Sequence, residues 1–290
     1  MYQSYWGLTE KPFENTPDPK YIFYSQQHKE AISRMLYVVR EHKGAALLTG
    51  EYGSGKTLLS RVLSDELKQE KAYQAVFILN PRLSGMALLK EIVWQLTGAS
   101  ASKNKVDLFH SLQGVLYENH REGKHTVIVV DEAQAIMSYD VFEELRLLLN
   151  FQLNRHFLLT LVLMGQPELK TKILNLPQLG HRMAVRYHLN ALDERETRDY
   201  INHRLNIAGG GDRIFTDDAH EGIYFFSTGI PRRINNICDL ALLVACSENK
   251  KAIDRNAIVK VSEELDLQSN SIMDPFELNP RKRQVPQENI

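Results

Sequence analysis

Residues 50–57 read Gly50-Glu51-Tyr52-Gly53-Ser54-Gly55-Lys56-Thr57, which fits G-x-x-x-x-G-K-[ST]. This pattern constrains the fold because it works only in one context. It must leave the end of a strand and open a helix, so that loop N–H groups and the positive helix end face one anion. Both neighbours are legible. Residues 45–49 are an apolar strand candidate, and residues 57–68 have helical spacing. Gly50, Gly53 and Gly55 let the backbone curl toward phosphate oxygens. Lys56 is suited to bridge the β- and γ-phosphates of a nucleotide, and the Thr57 hydroxyl to coordinate Mg²⁺. The candidate binding stretch is therefore Gly50, Glu51, Tyr52, Gly53, Ser54, Gly55, Lys56, Thr57 and Leu58.

A second half to this site is expected on a neighbouring strand. Thr126-Val127-Ile128-Val129-Val130-Asp131-Glu132 is an apolar run ending in paired carboxylates. Asp131 is the candidate magnesium ligand, acting through water. Glu132 is the candidate that polarises an attacking water. Two carboxylates point to nucleotide hydrolysis rather than to a small-molecule kinase, which more often lacks the second one.

The rest of the chain supports that frame. Strand candidates at 45–49, 75–79, 126–130, 157–164 and 186–189 alternate with helical patterns at 28–42, 57–68, 86–96, 108–119 and 141–151. Continuous apolar strands between helices predict a parallel sheet covered on both faces. After Leu189 only helices are expected. Asp193 and Glu196 form a capping box for a helix to about residue 208. Gly209-Gly210-Gly211 stops it, and Thr216, Pro231 and Asp254 open three more. The expected organisation is an aromatic, proline-rich segment at 1–27, an α/β nucleotide-binding domain at 28–190, a helical lid at 191–266 and a polar tail at 267–290. Little regular structure is expected in the first segment, because Pro12, Pro17 and Pro19 interrupt it.

Composition excludes several classes. In 290 residues, Lys+Arg is 35 and Asp+Glu is 36, for a net charge of −1. Bulk charge therefore does not hold this chain to nucleic acid. Cys238 and Cys246 lie about 12 Å apart along one predicted helix, too far for a disulfide. They read as small buried hydrophobes in a reducing compartment. The first residues have neither the basic nor the apolar region of a signal peptide. No apolar run approaches the roughly 20 residues of a spanning helix. A cytoplasmic protein is expected, with no direct membrane span. None of the histidines shows metal-ligand spacing, so no zinc site is expected.

Finer motifs accompany this frame. Tyr5-Trp6-Gly7-Leu8, Pro12-Phe13 and Thr16-Pro17-Asp18-Pro19 open the chain. Asp131-Glu132-Ala133-Gln134 precedes Glu143-Glu144-Leu145-Arg146. Gly165-Gln166-Pro167-Glu168-Leu169 follows, and Gly229-Ile230-Pro231-Arg232 with Ile234-Asn235 closes the set. With these, residues 1–265 resemble the AAA+ ATPases of the general secretion pathway protein A type, including the ATPase of mannose-sensitive haemagglutinin pilus clusters. More distantly they are similar to ATPases that regulate DNA transposition. The resemblance implies a five-stranded parallel sheet of the P-loop AAA+ kind with a helical lid. It implies ATP and Mg²⁺ as cofactors. It casts Gln166 as the polar sensor of the γ-phosphate or attacking water. It casts Arg182, then Arg186, as the arginine reaching a neighbouring subunit's site. Arg232, then Arg233, becomes the lid arginine on the γ-phosphate. Tyr24 and His28 become candidates for the adenine pocket, with the N-terminal segment packing near the nucleotide.

The function expected is an oligomeric ATPase that assembles or remodels a membrane-associated secretion or type IV pilus machine. Its expected partners are further copies of itself and an inner-membrane secretion or pilus component. Peripheral membrane association would come through that partner. The alternative is a DNA-associated AAA+ ATPase of the transposition-regulator or loader type. Nucleic acid is the less favoured partner, given the charge balance and the absence of a winged-helix stretch after Leu265.

Overall fold

The computed structural model describes residues 2–267 apart from 100, 101, 103, 154, 155 and 212. The expected polar tail lies outside the described residues from 268 onward. The elements run α1 (Tyr2–Trp6), α2 (Gln26–Arg40), β1 (Ala45–Gly50), α3 (Lys56–Gln69), β2 (Tyr73–Ile78), α4 (Gly85–Thr97) and α5 (Lys105–Arg121). Then come β3 (His125–Val130), α6 (Tyr139–Leu148), β4 (Gln152–Leu153), β5 (His156–Phe157), β6 (Leu159–Gly165), α7 (Pro167–Leu174), α8 (Pro177–Gly180) and β7 (Met183–Leu189). Four helices close the described chain: α9 (Glu194–Ile207), α10 (Asp217–Ser227), α11 (Pro231–Ser247) and α12 (Arg255–Glu264). They form two compact units.

The first unit holds residues 15–192 and 230–232. Five parallel strands lie in the order β2-β3-β6-β1-β7. Every residue of β1, β3 and β6 is buried, because helices cover both faces. Alternation along each strand sorts the core. Leu47, Ile128, Val130, Leu161 and Leu163 join α4, α5, α6 and α7 on one face. Ala46, Leu48, Val127, Val129, Val162 and Met164 join α2 and α3 on the other. Each Val, Leu, Ile or Met among these contributes about 1.5–3 kcal/mol by leaving water. The register sets Thr49 against Gly165, Gly50 against Leu189 and Val130 against Leu163. One edge of the sheet thus gathers the ends of β1, β3 and β6.

The predicted strand over 157–164 is interrupted. Phe157 and His156 pair antiparallel with Gln152 and Leu153, Leu158 N–H donates to Phe151 O at 3.0 Å, and β6 starts only at Leu159. Helices α7 and α8, which the apolar pattern did not announce, each start on a proline whose missing N–H costs nothing at that position.

The second unit holds residues 2–14, 193–229 and 233–267. The capping box of Asp193 and Glu196 opens α9. Phe215 and Ile253 make a parallel bridge that ties the chain before α10 to the chain before α12. The N-terminal residues belong to this unit. Tyr2 hydroxyl donates to the Asp239 carboxylate, Trp6 Nε1 to Leu242 O at 3.0 Å, and Thr9 N to Ala208 O at 2.8 Å. Phe13 is buried edge-on against Phe215. The buried Arg204 side chain donates to the carbonyls of Pro12 and Glu14, and to Tyr200 Oη at 2.7 Å. So the segment read as 1–27 divides near residue 14, and its first residues form a short helix despite the nearby prolines. The cysteines are free, Cys238 buried and Cys246 half-buried. Among the described residues, no helix is long and apolar enough to cross a membrane.

Candidate active site

The loop between β1 and α3 is built by glycine. Gly53 and Gly55 have φ of +82° and +101°, which only glycine adopts without strain. A Cβ on Gly50 would stand 2.7 Å from Leu189 O, so the loop leaves β1 flush against β7. Gly55 occupies the N-cap of α3 without any side-chain cap, leaving the positive helix end free for an anion. Ser54 Oγ is buried and makes no hydrogen bond, a polar atom that a bound oxyanion would satisfy.

Lys56 is buried, and its Nζ donates to Gly50 O at 2.7 Å and Glu51 O at 2.8 Å. Burial lowers its pKa, and the carboxylates of Glu132, Asp131, Glu51 and Glu168 oppose that shift. The ammonium is folded back on its own loop, with acceptors it can exchange for phosphate oxygens.

Asp131 follows β3 and is buried. Burial raises its pKa, and hydrogen bonds from Glu132 N–H and the Thr57 hydroxyl pull it back. Two adjacent oxygen donors, one a carboxylate short of positive charge, are the hard ligand set magnesium takes. The fit is to a divalent cation that would hold Asp131 ionised.

Glu132 has φ of +51°, unusual for glutamate. Its carboxylate accepts from Gln134 Nε2, while Gln134 Oε1 accepts from Gln166 N–H at 3.0 Å. Gln166, half-buried, is the N-cap residue of α7, directly after the glycine that pairs with Thr49. Lys172 Nζ donates to Gln134 O and Ile136 O, both at 2.7 Å. These ties to Gln134 and Lys172 were not anticipated from sequence, where Gln134 figured only within a motif.

Arg232, with Ile230 and Pro231, belongs to this unit. Its N–H donates to Gly53 O at 3.3 Å, and its guanidinium lies 4.8 Å from the Tyr52 ring centroid. Arg233 belongs to the helical unit, where its Nη1 lies 3.4 Å from Thr228 Oγ1. His28 lies under the loop. Its Nε2 is 3.2 Å from Ser54 O and its Nδ1 2.7 Å from Ser25 Oγ. Burial lowers its pKa, so the neutral ring donates through Nε2 and accepts from Ser25. Tyr24 is exposed.

Arg182 and Arg186 do not join this group. Met183 pairs with Ala45, at the start of β1, so Arg182 lies at the opposite edge of the sheet from Gly50. Its guanidinium donates to Leu149 O and Asn150 Oδ1, both at 2.7 Å, at the C-terminal end of α6. Arg186 donates to Gly180 O at 2.6 Å. Both cations meet negative helix ends.

Residues 39–173 match the AAA domain family. Over 257 residues, 87% of this chain, the sequence is 40% identical to the general secretion pathway protein A of Aeromonas hydrophila. The match takes in 46% of that protein, so this chain spans about half the length of its curated relative. The fold is similar to the ORC2 protein of Aeropyrum pernix, with a TM-score of 0.60 and 17% identity over 90% of this chain and 75% of that one. It is similar to Drosophila ORC bound to DNA, at 0.65 and 16%, over 90% and 67% of the two chains. It also resembles the RuvB Holliday junction branch migration motor of Thermotoga maritima, at 0.56 and 20%, over 88% and 73%.

Proposed function

We propose that this chain, whose fold is of the P-loop AAA+ kind, binds ATP with magnesium and hydrolyses it as an oligomer, driving assembly or remodelling of a membrane-associated secretion or type IV pilus machine. One observation carries the hydrolytic reading. A buried lysine, a buried aspartate with its threonine, and a glutamate in a fixed backbone conformation converge around one glycine loop.

In this reading Lys56 exchanges the carbonyls of Gly50 and Glu51 for phosphate oxygens. The loop N–H groups and the first turn of α3 hold the remaining negative charge. Thr57 and Asp131 would hold magnesium, which neutralises charge on the phosphates. Glu132 orients a water and draws its proton as that water attacks the γ-phosphorus, releasing ADP and phosphate. Gln166 hydrogen-bonds the water or the γ-phosphate, and Arg232 approaches the same phosphate beside Tyr52. Arg182 exchanges Leu149 O and Asn150 Oδ1 of its own chain for the γ-phosphate in the site of a neighbouring copy.

The secretion role rests on the Aeromonas relative, which carries that name. Residence in the cytoplasm, at the inner membrane through a protein partner, completes the reading. The test is a magnesium-dependent ATPase assay with nucleotide binding measured beside it. Lys56→Ala should lose ATP binding. Unchanged affinity in that variant would remove the site assignment.

A further inference from the structure

Gln134 has both ends of its side-chain amide committed. Nε2 faces the Glu132 carboxylate, which can only accept, and Oε1 faces the Gln166 N–H, which can only donate. The two partners together set the amide's orientation. The bond to Gln166 exists because residue 165 is glycine. A Cβ there would stand 2.5 Å from Gln134 Oε1 and 3.2 Å from Gln134 N. The backbone around the amide is held as well, since Lys172 of α7 donates to the carbonyls of Gln134 and Ile136. Glu132 itself sits at a positive φ, so its side chain leaves β3 in a direction the strand would not give it.

We propose that Gln134 is a positioning residue for hydrolysis, its amide tying the water-activating carboxylate of Glu132 to the end of β6 and to α7. The proposal rests on the hydrolytic reading above and adds a residue to it. The Lys56 ammonium is hydrogen-bonded to its own loop, at Gly50 O and Glu51 O. The Gln134 amide donates to the Glu132 carboxylate and aims it. An amide orients a carboxylate without neutralising it, which leaves Glu132 free to take a proton. The same amide makes the carboxylate follow any shift of Gln166 or α7, so the residue that activates water and the residue that senses phosphate move together.

Two variants separate the amide's ends. Gln134→Glu keeps an acceptor for Gln166 N–H but loses the donor to Glu132. Gln134→Met keeps the length and loses both. Each should lower kcat by about tenfold or more, the scale expected when a catalytic group is misplaced by about 1 Å. Nucleotide affinity should stay within about twofold of wild type, because neither variant alters the groups assigned to bind phosphate. Amide hydrogen exchange gives a readout without turnover. The Gln166 N–H should exchange faster in Gln134→Met and stay protected in Gln134→Glu. A wild-type kcat in Gln134→Met, or equal kcat in wild type and Gln134→Glu, would overturn the proposal. So would a loss of affinity that tracks the loss of kcat, which marks a merely structural residue. Unchanged exchange at Gln166 in Gln134→Met would remove the tether. Wild-type protein that binds ATP and hydrolyses none would instead sink the hydrolytic reading, and with it the catalytic part of this one.

Discussion

The guanidinium of Arg232 lies over the ring of Tyr52, 4.8 Å from its centroid, with the Arg232 N–H donating to Gly53 O. An arginine in the first turn of a helix opposes the helix dipole, so its position needs a partner. The ring supplies one, worth about 0.5–1 kcal/mol at an exposed site. A phosphate would supply a stronger one.

Arg232→Ala should therefore cost far more turnover than Tyr52→Ala. The arginine variant should lose about tenfold or more in kcat/KM, the scale of one charged donor to the transition state. Arg232→Lys should not restore it, since lysine neither stacks nor donates in a planar fork. Steady-state kinetics on the three variants check this. Equal, small losses in all three would reduce Arg232 to a stacking partner.

Glu132→Gln keeps the size of the side chain and the ligands assigned to magnesium. It should bind ATP nearly as wild type, hydrolyse it very slowly and accumulate as an ATP-bound oligomer. Light scattering with nucleotide present, beside single-turnover kinetics, reads both effects. Normal turnover would move water activation to Gln166.

Arg182 tests whether the site is shared between copies. Alone, Arg182→Ala should lose a helix-end interaction of about 0.3–1 kcal/mol and remain folded. It should bind ATP and fail to hydrolyse it. Mixed with Glu132→Gln, it should recover part of its activity, because some interfaces then pair a live site with an intact arginine. Wild-type specific activity should also rise with protein concentration. If co-assembled mixtures stay inactive, the role passes to Arg186, whose only described side-chain bond is to Gly180 O. If activity ignores concentration and neither arginine matters, the oligomeric reading fails.

Stability should fall in mild acid. His125 is buried, stacked on His42 at 3.9 Å, with Nε2 donating to Thr160 Oγ1 at 2.9 Å. Burial, with His42 and His120 adding repulsion, lowers its pKa from 6.5 to about 3. The unfolded chain therefore takes up a proton below pH 6.5 that the folded chain refuses. The stability tied to this neutral ring is complete above 6.5 and is lost as pH falls from there toward 3. The slope is about 1.4 kcal/mol per pH unit for one such group. Urea midpoints between pH 7.5 and 5 should show a shallower decline in His125→Gln than in wild type. Parallel declines would assign the acid sensitivity elsewhere.

Local chemistry was the readable part of this protein. Gly50 to Thr57, the Asp131-Glu132 strand end and the Asp193-Glu196 cap all signal through neighbours within a few residues, and each lies where its pattern indicates. The central strands β1, β3 and β6 were legible because strands buried on both faces read as near-continuous apolar runs, while the edge strands β2 and β7, half-exposed, showed only part of their length. What escaped depends on distance or on one missing atom. Tyr2 meets Asp239 across 237 positions, which no local pattern encodes. The break at Leu158 comes from the pairing of Phe157 with Gln152, invisible in an unbroken apolar run. Gln134 reaches the Gln166 N–H only because Gly165, at the end of β6, has no Cβ. The contacts of His28, which was read as an adenine neighbour, with Ser54 O and Ser25 Oγ were not legible in the sequence.

Residues 2–14 belong with α9 to α12, although the whole sheet lies between them in the chain. During synthesis these first residues emerge long before their partners exist. At ribosomal rates, Tyr2 waits roughly ten to fifty seconds for Asp239 to be made. Through that interval Trp6, Phe13 and the neighbouring rings have no helical unit to enter, while the sheet can already fold behind them. A stretch translated before the sheet is therefore placed only after it. Exposed aromatic rings on a nascent chain are sites for a holding chaperone, and the burial of Phe13 against Phe215 marks the point at which the helical unit has closed.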